Sequence, residues 1–463
     1  MFKSNVGGLT VKDAIRKYLV ALFILVLAAG IFQTPAYASE PIDTKAEAAI
    51  VIDAETGRIL FEKNADKPMG IASMTKMMTE YLLLEAVKEG KVKWEDTYTV
   101  SPELSKMSHD GKLSNVFLRV EESYTVRDLY NAMAIESANA ATIAIAEIVA
   151  GTEANFVEMM NAKAKEFGLE TAKFVNSSGL NNKDIAKYMD IIGGADEENV
   201  MSAKDTAVLA YRLLRDFPEV LETSSKPTEI FADGTKDRQL MDNWNWMLEG
   251  YGNLKEDFPN FQQYVFQGLD GLKTGSTDFA GYCFTGTAER NGQRFISVVM
   301  KTSSQAERFV ETKKILEQTF NHYSVEEVVP EGYQVKGSET IPVVKGKEKQ
   351  VKIQTKDPIK LAVKEDEIKN FESELTIDKD KLNEDGELVA PVKKGEKVGT
   401  LTIKPKEGEL KFAPKDGQKE IVVDVVAGED VEKANWFVLM MRGIGGFFGD
   451  LWSGITSTVK GWF

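Results

Sequence analysis

The chain has 463 residues, of which 43% are hydrophobic and 28% are charged, so it has the composition of a folded protein with room for two or three domains. Its formal net charge of -15 argues against nucleic acid as a partner, because acidic side chains repel the phosphate backbone. Cys283 is the single cysteine, so no disulfide can form within the chain. It falls in an alternating segment, which predicts a buried thiol in a strand.

The first 38 residues have the order of a secretory signal. Four cations precede an apolar run from Tyr18 to Phe32, and the small-residue pattern Ala36-Tyr37-Ala38 follows. We predict cleavage after Ala38 and export of the remainder. An uncleaved membrane helix is the alternative, but the run is shorter than the roughly 20 residues that a span needs. Because residues 1–38 carry a net charge of +3, the mature chain would be near -18.

Residues 39–325 are predicted to form one α/β domain. Strand patterns occur at both of its ends and helical patterns lie between them, so we expect a sheet that joins the two ends. The predicted elements in chain order are a strand, turn and strand from Ala48 to Lys63, helices from Ser73 to Lys88 and from Ala140 to Ala150, a hairpin from Tyr282 to Met300 that turns at Asn291-Gly292, and a helix from Val310 to Phe320.

From residue 326 to residue 430 the pattern changes to short runs of β-branched residues. Turn formers such as Asp357-Pro358 and Asp385-Gly386 separate these runs. The pattern predicts a small all-β domain. It contains no cysteine and no carboxylates with metal-ligand spacing, so we expect a spacer or contact module without a metal ion.

Residues 431–463 combine an apolar stripe with a polar face. Large apolar side chains recur there at spacings of three and four, and three tryptophans accompany them. The pattern predicts an amphipathic helix that binds membrane lipid and holds the chain at the surface. A helix docked on the body of the protein is the alternative, which so many aromatics at the chain end disfavour. The stripe consists of Phe437, Met440, Ile444, Phe447, Phe448, Leu451, Ile455, Val459 and Trp462.

The chemistry is predicted to depend on a serine without a histidine base. The chain holds only His109 and His322, and neither is near a nucleophile-elbow motif. Ser73-Met74-Thr75-Lys76 offers another arrangement, because residues three apart at the start of a helix share a face. A lysine that is desolvated there loses its charge and can accept the serine proton.

Two further motifs follow Ser73 in order along the chain. Ser137-Ala138-Asn139 interrupts two helical stretches, which predicts a loop that projects a hydroxyl and an amide into a cleft. Lys273-Thr274-Gly275 is predicted to open the strand that leads into the later hairpin, where backbone groups bind an extended peptide as an added strand. Gly275 allows the substrate backbone to approach closely, and the Lys273 cation lowers the pKa of Lys76 by repulsion.

Together these motifs resemble those of the serine penicillin-recognising family. The wider context is similar to D-alanyl-D-alanine carboxypeptidases of the penicillin-binding protein 5 type, which are low-molecular-mass class C penicillin-binding proteins of peptidase family S11, and above all to the vegetative enzymes of Bacillus-like bacteria. The segments that carry this resemblance are Ala48 to Thr79, Asn176-Ser177-Ser178-Gly179-Leu180, Ser202-Ala203-Lys204-Asp205 and Gly271-Leu272-Lys273-Thr274-Gly275.

The resemblance implies the fold and the residue roles. It implies a β-lactamase-like catalytic domain with a central antiparallel sheet and a helical subdomain, followed by the β domain and an amphipathic helix. Ser73 would be the acylated nucleophile, Lys76 its base, and Ser137 a proton relay to the leaving D-alanine. The substrate-binding groups would be the Asn139 amide, the Lys273, Thr274 and Gly275 segment at the terminal carboxylate, Arg308 beside that carboxylate, and the backbone N–H groups of Ser73 and Ser276 at the oxyanion.

For Arg308, an arginine in a surface salt bridge is the alternative. Two features depart from the family pattern. Ala140 replaces an acidic residue that often follows the second motif, and Asn182 to Val200 looks like an inserted acidic loop.

The sequence therefore predicts an exported serine carboxypeptidase on the outer face of the cytoplasmic membrane. Its expected partners are peptidoglycan stem peptides that end in D-Ala-D-Ala and β-lactam antibiotics, and no cofactor is expected. Two alternatives stay open. A class A-like β-lactamase would need a Glu-x-x-x-Asn element, which appears between the second and third motifs only at Glu249 to Asn253 and Glu256 to Asn260. A non-catalytic wall-binding protein would not need the intact motifs.

Overall fold

A computed structural model describes residues 42–250, 259–414 and 421–441. The predicted signal at 1–38, both Glu-x-x-x-Asn matches in part, and the apolar stripe beyond residue 441 lie outside the described residues. The described chain from Asp43 onward belongs to one compact unit.

The N-terminal part of the described chain is built on a five-stranded antiparallel sheet. Its order is β2 (Ile59–Lys63), β1 (Ala48–Asp53), β11 (Gln293–Thr302), β10 (Gly281–Arg290) and β9 (Leu269–Thr277). Its first strand pairs with its last, Ala48 opposite Met300, so the sheet joins the two ends of the domain as predicted. The strands of this part are β1 (Ala48–Asp53), β2 (Ile59–Lys63), β3 (Met69–Gly70), β4 (Thr97–Thr99), β5 (Ser123–Thr125), β6 (Val200–Met201), β7 (Thr228–Phe231), β8 (Gln239–Asp242), β9 (Leu269–Thr277), β10 (Gly281–Arg290) and β11 (Gln293–Thr302).

One prediction about this sheet is wrong. Lys273-Thr274-Gly275 does not open the strand that leads into the Asn291-Gly292 hairpin but lies within β9, a separate strand at the sheet edge. The hairpin itself consists of β10 and β11, as its turn residues predict. Cys283 lies in β10 and is fully buried, which confirms the predicted strand thiol.

Helices cover the sheet and extend into a helical subdomain. One hydrophobic core joins the sheet to the first helix, and a second core lies within the helical region. The helices are α1 (Lys76–Lys88), α2 (Pro102–Ser108), α3 (Val126–Asn131), α4 (Asn139–Ala150), α5 (Glu153–Glu166), α6 (Asn182–Ile185), α7 (Ala203–Asp216), α8 (Val220–Ser224) and α9 (Gln305–His322). Short 3-10 turns span Ala72–Thr75 and Pro259–Gln263, and a π-helix spans Ala132–Glu136.

The C-terminal part is rich in strands, and its apolar residues form a third core. Its main sheet has the order β16-β18-β19-β14-β13-β17, and β12 pairs with β15 in a two-stranded sheet. Its strands are β12 (Ser324–Val329), β13 (Thr340–Val344), β14 (Gln350–Thr355), β15 (Ile359–Val363), β16 (Phe371–Ile377), β17 (Leu388–Val389), β18 (Lys397–Pro405) and β19 (Ile421–Ala427). Two 3-10 turns span Ile368–Asn370 and Lys379–Lys381.

The turn between β1 and β2 contacts the C-terminal part directly. The buried Arg58 guanidinium donates to the Ala362 carbonyl and to both Glu367 carboxylate oxygens. Ala413 N–H donates to the Gly57 carbonyl at 2.9 Å. These contacts attach the β-rich part to the sheet at its β2 edge, and β9 forms the other edge.

A mixed α/β catalytic domain followed by a β-rich part is the predicted fold class, and the structure confirms it. Within the described ranges, no single helix is long and apolar enough to cross a membrane. The bent pair α4 and α5 reaches that length and composition only jointly, with 81° between its members.

Candidate active site

Ser73 and Lys76 lie on one face of a tight turn that continues into a helix. The 3-10 turn Ala72–Thr75 leads directly into α1, so the side chains at positions i and i+3 meet. Lys76 Nζ lies 3.0 Å from Ser73 Oγ. Lys76 is almost fully buried, whereas Ser73 is partly exposed. A partly exposed hydroxyl therefore contacts an amine that is almost fully shielded from water.

Two further oxygens hold the Lys76 amine. Its Nζ donates to Asn139 Oδ1 and to the Ser178 carbonyl, each at 2.8 Å. Burial lowers the pKa of Lys76 well below its ordinary value, and the nearby Lys273 cation lowers it further. Both accepting groups are uncharged, so they do not compensate the lost hydration of an ammonium ion. The site therefore favours the neutral amine.

Ser137 is presented by an irregular backbone. The π-helix Ala132–Glu136 ends at Ser137, whose φ of 60° and ψ of 30° are left-handed, and α4 begins two residues later at Asn139. Such a conformation is uncommon for a residue with a side chain and often marks a functional site. It confirms the predicted break between two helical stretches.

The Asn139 amide is fixed at both of its ends. Its Oδ1 accepts from Lys76, and its Nδ2 donates to the Ser114 carbonyl at 2.9 Å. The second motif is therefore attached to the first through Asn139.

Lys273 joins the third motif to the second. Its Nζ donates to Ser137 Oγ at 2.9 Å. Burial lowers the pKa of Lys273 to about 7, and the Arg308 cation lowers it as well, while Glu80 and Glu136 act in the opposite direction. Thr274 beside it is also buried.

Gly275 lies where β9 passes the nucleophile turn, which is the 3-10 turn Ala72–Thr75 that contains the predicted nucleophile Ser73. A Cβ atom at this position would lie 2.6 Å from the Ile71 carbonyl oxygen and 3.2 Å from the Ser73 nitrogen. Both atoms belong to the backbone and cannot move aside easily, so the close approach of strand and turn requires glycine. Ser276 follows it, is exposed, and pairs with Tyr282 of β10.

Arg308 contacts the third motif, and its burial excludes the alternative of a surface salt bridge. It lies on α9, is 3% exposed, and donates from Nη1 to the Gly275 carbonyl at 3.3 Å. Burial lowers the pKa of Arg308 to about 10. At neutral pH the third motif therefore has a guanidinium ion on one side and the Lys273 amine within it.

The loop that supplies Ser178 was not assigned a role from the sequence, although its motif contributed to the family resemblance. Asn176 Oδ1 accepts from Gly179 N–H at 2.6 Å, which shapes the turn that exposes the Ser178 carbonyl to Lys76. Gly179 has a φ of 84°, and a Cβ there would lie 1.9 Å from the Ala72 carbonyl oxygen. The run Asn176-Ser177-Ser178-Gly179 was the sequence feature that could have indicated this contact with Lys76.

The segment from Asn182 to Val200 contains α6 and buried polar groups, so it is more ordered than an acidic loop. Glu198, 7% exposed, accepts from Thr277 Oγ1 at 2.6 Å and from Asn181 Nδ2 at 3.0 Å. The segment thus contacts the end of β9, two residues beyond Gly275.

Comparison with known proteins gives the same assignment over nearly the whole chain. The family model for D-alanyl-D-alanine carboxypeptidase matches residues 34–304, and the model for the C-terminal domain of penicillin-binding protein 5 matches residues 323–433. The chain belongs to the D-alanyl-D-alanine carboxypeptidase family. The predicted family and enzyme class are therefore confirmed.

Relatives of this carboxypeptidase family match along almost their full length. The chain is 30% identical to the D-alanyl-D-alanine carboxypeptidase DacF of Bacillus subtilis, covering 94% of this chain and 98% of that protein. It is 28% identical to DacC of Escherichia coli, covering 94% and 96%.

Solved structures show the same architecture. A peptidoglycan synthesis regulatory factor (PBP3) from Streptococcus pneumoniae has a TM-score of 0.68 at 31% identity, covering 84% of this chain and 99% of that one. Penicillin-binding protein 5 from Haemophilus influenzae has a TM-score of 0.62 at 26% identity, covering 85% and 99%.

Proposed function

We propose that this carboxypeptidase removes the terminal D-alanine from peptidoglycan stem peptides through an acyl-enzyme on Ser73. The observation that carries the proposal is the contact between Ser73 Oγ and the buried Lys76 Nζ at 3.0 Å. A neutral amine has two N–H bonds and one lone pair. Asn139 Oδ1 and the Ser178 carbonyl accept the two N–H bonds, so the lone pair is directed to the Ser73 hydroxyl, which then donates to Nζ.

Acylation follows from this arrangement. Ser73 Oγ attacks the carbonyl carbon of the penultimate D-alanine while its proton moves to Lys76, and a tetrahedral intermediate forms. The C–N bond then breaks, and the departing amine takes the proton from Lys76 through Ser137 Oγ. Ser137 Oγ is suited to this relay because it accepts a hydrogen bond from Lys273 Nζ and lies two residues before Asn139, whose amide contacts Lys76. Water next attacks the ester carbonyl and gives a proton to Lys76. The bond between the acyl carbon and Ser73 Oγ breaks, Oγ takes that proton back from Lys76, and the shortened peptide leaves.

The terminal carboxylate of the substrate would be bound by the third motif. Arg308 supplies a permanent cation at neutral pH, and Lys273 supplies a second, titratable one. Thr274 and Asn139 would orient the peptide, and the backbone N–H groups of Ser73 and Ser276 would stabilise the oxyanion. Gly275 keeps strand and nucleophile close enough for this arrangement.

We propose the same Ser73 as the target of β-lactam antibiotics, since a strained lactam presents a carbonyl and a carboxylate at similar positions. We also propose that residues 1–38 direct export and that residues 431–463 bind lipid at the outer face of the cytoplasmic membrane. In favour of the second point, Trp436, Phe437 and Met440 are 74%, 53% and 43% exposed, so the start of that segment offers apolar groups for contact.

The direct test is D-alanine release from a peptide that ends in D-Ala-D-Ala, measured beside labelling by a fluorescent penicillin. The proposal predicts both activities in the parent and a long-lived penicilloyl adduct. Rapid hydrolysis of the adduct without D-alanine release would identify a β-lactamase. The absence of both labelling and D-alanine release would identify a non-catalytic wall-binding protein.

A further inference from the structure

A buried carboxylate and a tyrosine connect the nucleophile helix to the helix that precedes Ser137. Glu80 lies one turn after Lys76 on α1, and Tyr130 lies on α3. Tyr130 Oη donates to Glu80 Oε1 at 2.8 Å. Glu80 is 8% exposed and Tyr130 is 2% exposed. Burying an ionisable carboxylate is costly, so this pair is a poor way to gain stability alone.

The pair is connected to the second and third motifs. α3 ends at Asn131, directly after Tyr130, and continues into the π-helix Ala132–Glu136, which ends at Ser137, whose Oγ accepts from Lys273. Thr223 of α8 also hydrogen-bonds Tyr130, and its neighbour Ser224 donates to a β9 carbonyl at 2.8 Å. The pair therefore connects α1 to α3 and to the π-helix that leads to Ser137, and it reaches β9 through Thr223 and Ser224 of α8.

The Glu80 carboxylate also acts on Lys273 electrostatically. Burial raises the pKa of Glu80 to about 7, while Tyr130 and Lys273 both lower it. In turn, Glu80 and Glu136 raise the pKa of Lys273 against burial and the Arg308 cation. Lys76, on the same helix as Glu80, favours its neutral form. Glu80 is thus one of two carboxylates that support the Lys273 cation.

We propose that Glu80 is a positioning residue: through Tyr130 it holds Ser137 against the nucleophile helix, and through its negative charge it maintains the cation on Lys273. The inference rests on the proposed function, because the Lys273 cation matters only if the site binds a carboxylate. A role of this kind makes a specific prediction. Loss of the Glu80 charge should lower the acylation rate at alkaline pH and leave it nearly unchanged at acidic pH.

The test uses Glu80→Gln, Tyr130→Phe and the control Glu85→Gln. The control removes a carboxylate from the same helix whose partner is Lys163 on α5. Fluorescent-penicillin acylation rates are measured from about pH 5 to pH 9, and thermal unfolding verifies that each variant is folded. We expect Glu80→Gln to shift the alkaline midpoint down by about one pH unit and Glu85→Gln to match the parent. Tyr130→Phe should shift it less in the same direction, because Glu80 loses a bond that stabilises its charge.

The inference is overturned if the acylation rate of Glu80→Gln has the same pH profile as the parent. It is also overturned if that rate falls by the same factor at every pH, because a uniform loss would indicate a structural role only. If Glu80→Gln does not fold, the Tyr130→Phe profile decides. D-alanine release is measured on the same samples. A parent that is acylated but releases no D-alanine refutes the proposed carboxypeptidase function, while the acylation profiles still decide the role of Glu80.

Discussion

Lys273 Nζ lies 2.9 Å from Ser137 Oγ, although 136 positions separate the two residues in the chain. The contact joins an edge strand to a π-helix and completes a series of contacts from Ser73 through Lys76 and Asn139 to the third motif. Two lysines of the site thus contact two serines, and their environments differ. Lys76 contacts neutral oxygens only, whereas Lys273 is supported by two carboxylates.

The two lysines should respond differently to replacement by arginine. Lys76→Arg keeps a charge that cannot be lost, so the base is absent and acylation should fall by about 10²- to 10⁴-fold. Lys273→Arg keeps the cation and should retain a measurable part of the rate. The measurement is the second-order acylation rate with a fluorescent penicillin. Equal and severe losses in both variants would contradict the division of roles.

The pH dependence should report Lys273. Its lowered pKa of about 7 means that the ammonium ion is present below that pH and is lost as the pH rises through it. For a peptide with a free terminal carboxylate, kcat/KM should therefore fall on the alkaline side, partially, because Arg308 remains charged until about pH 10. A peptide that ends in D-alaninamide has no carboxylate and should not show this decline. The same decline for both peptides would contradict the assignment.

Gly275→Ala should damage the site by displacing β9 from the nucleophile turn. The added methyl group meets the Ile71 carbonyl at 2.6 Å, so we expect a loss of about 1 to 3 kcal/mol in unfolding free energy and slower acylation. Gly111→Ala is the matched control, since nothing lies within 4 Å of a Cβ at that position. Chemical denaturation and acylation rates are the measurements. Parent-like values for Gly275→Ala would show that the approach is not required.

The proposed lipid binding by residues 431–463 can be tested by truncation. A chain that ends at Ala434 keeps the Ala434 N–H bond to the Lys345 carbonyl and removes the apolar stripe. It should lose vesicle binding, because burial of each large apolar side chain contributes roughly 1.5 to 3 kcal/mol to lipid binding. It should keep D-alanine release, because all three motifs precede the truncation. Full-length protein with Phe447→Asp and Leu451→Asp should also be released. Flotation of the truncated chain with vesicles at the parent's level would refute the anchor.

Much of the site could be predicted because local patterns encode it. The strands Ala48–Asp53 and Ile59–Lys63 follow β-branched runs, and the hairpin follows Asn291-Gly292. The spacing of three residues at the start of a helix was sufficient to place Ser73 beside Lys76.

What could not be predicted depends on contacts between distant parts of the chain. The Ser178 carbonyl reaches Lys76 across 102 positions, and no periodicity encodes that bond. Arg308 lies just before the helix predicted from Val310 to Phe320, and its burial and its bond to the Gly275 carbonyl depend on tertiary contacts. The start of the strand that contains Lys273 was predicted wrongly because Gly275 interrupts the β pattern. In the structure this glycine lies within the strand, where the nearby nucleophile turn leaves no room for a side chain.

The most direct test of the central claim is the mass of the intact protein after exposure to penicillin, with peptide mapping of the adduct. The account predicts one penicilloyl group on Ser73 in the parent. Ser73→Ala should carry no adduct, release no D-alanine and unfold at a temperature close to the parent's, because the partly exposed hydroxyl contributes little to the core. An adduct on Ser73→Ala, or an adduct on any other peptide of the parent, would contradict it.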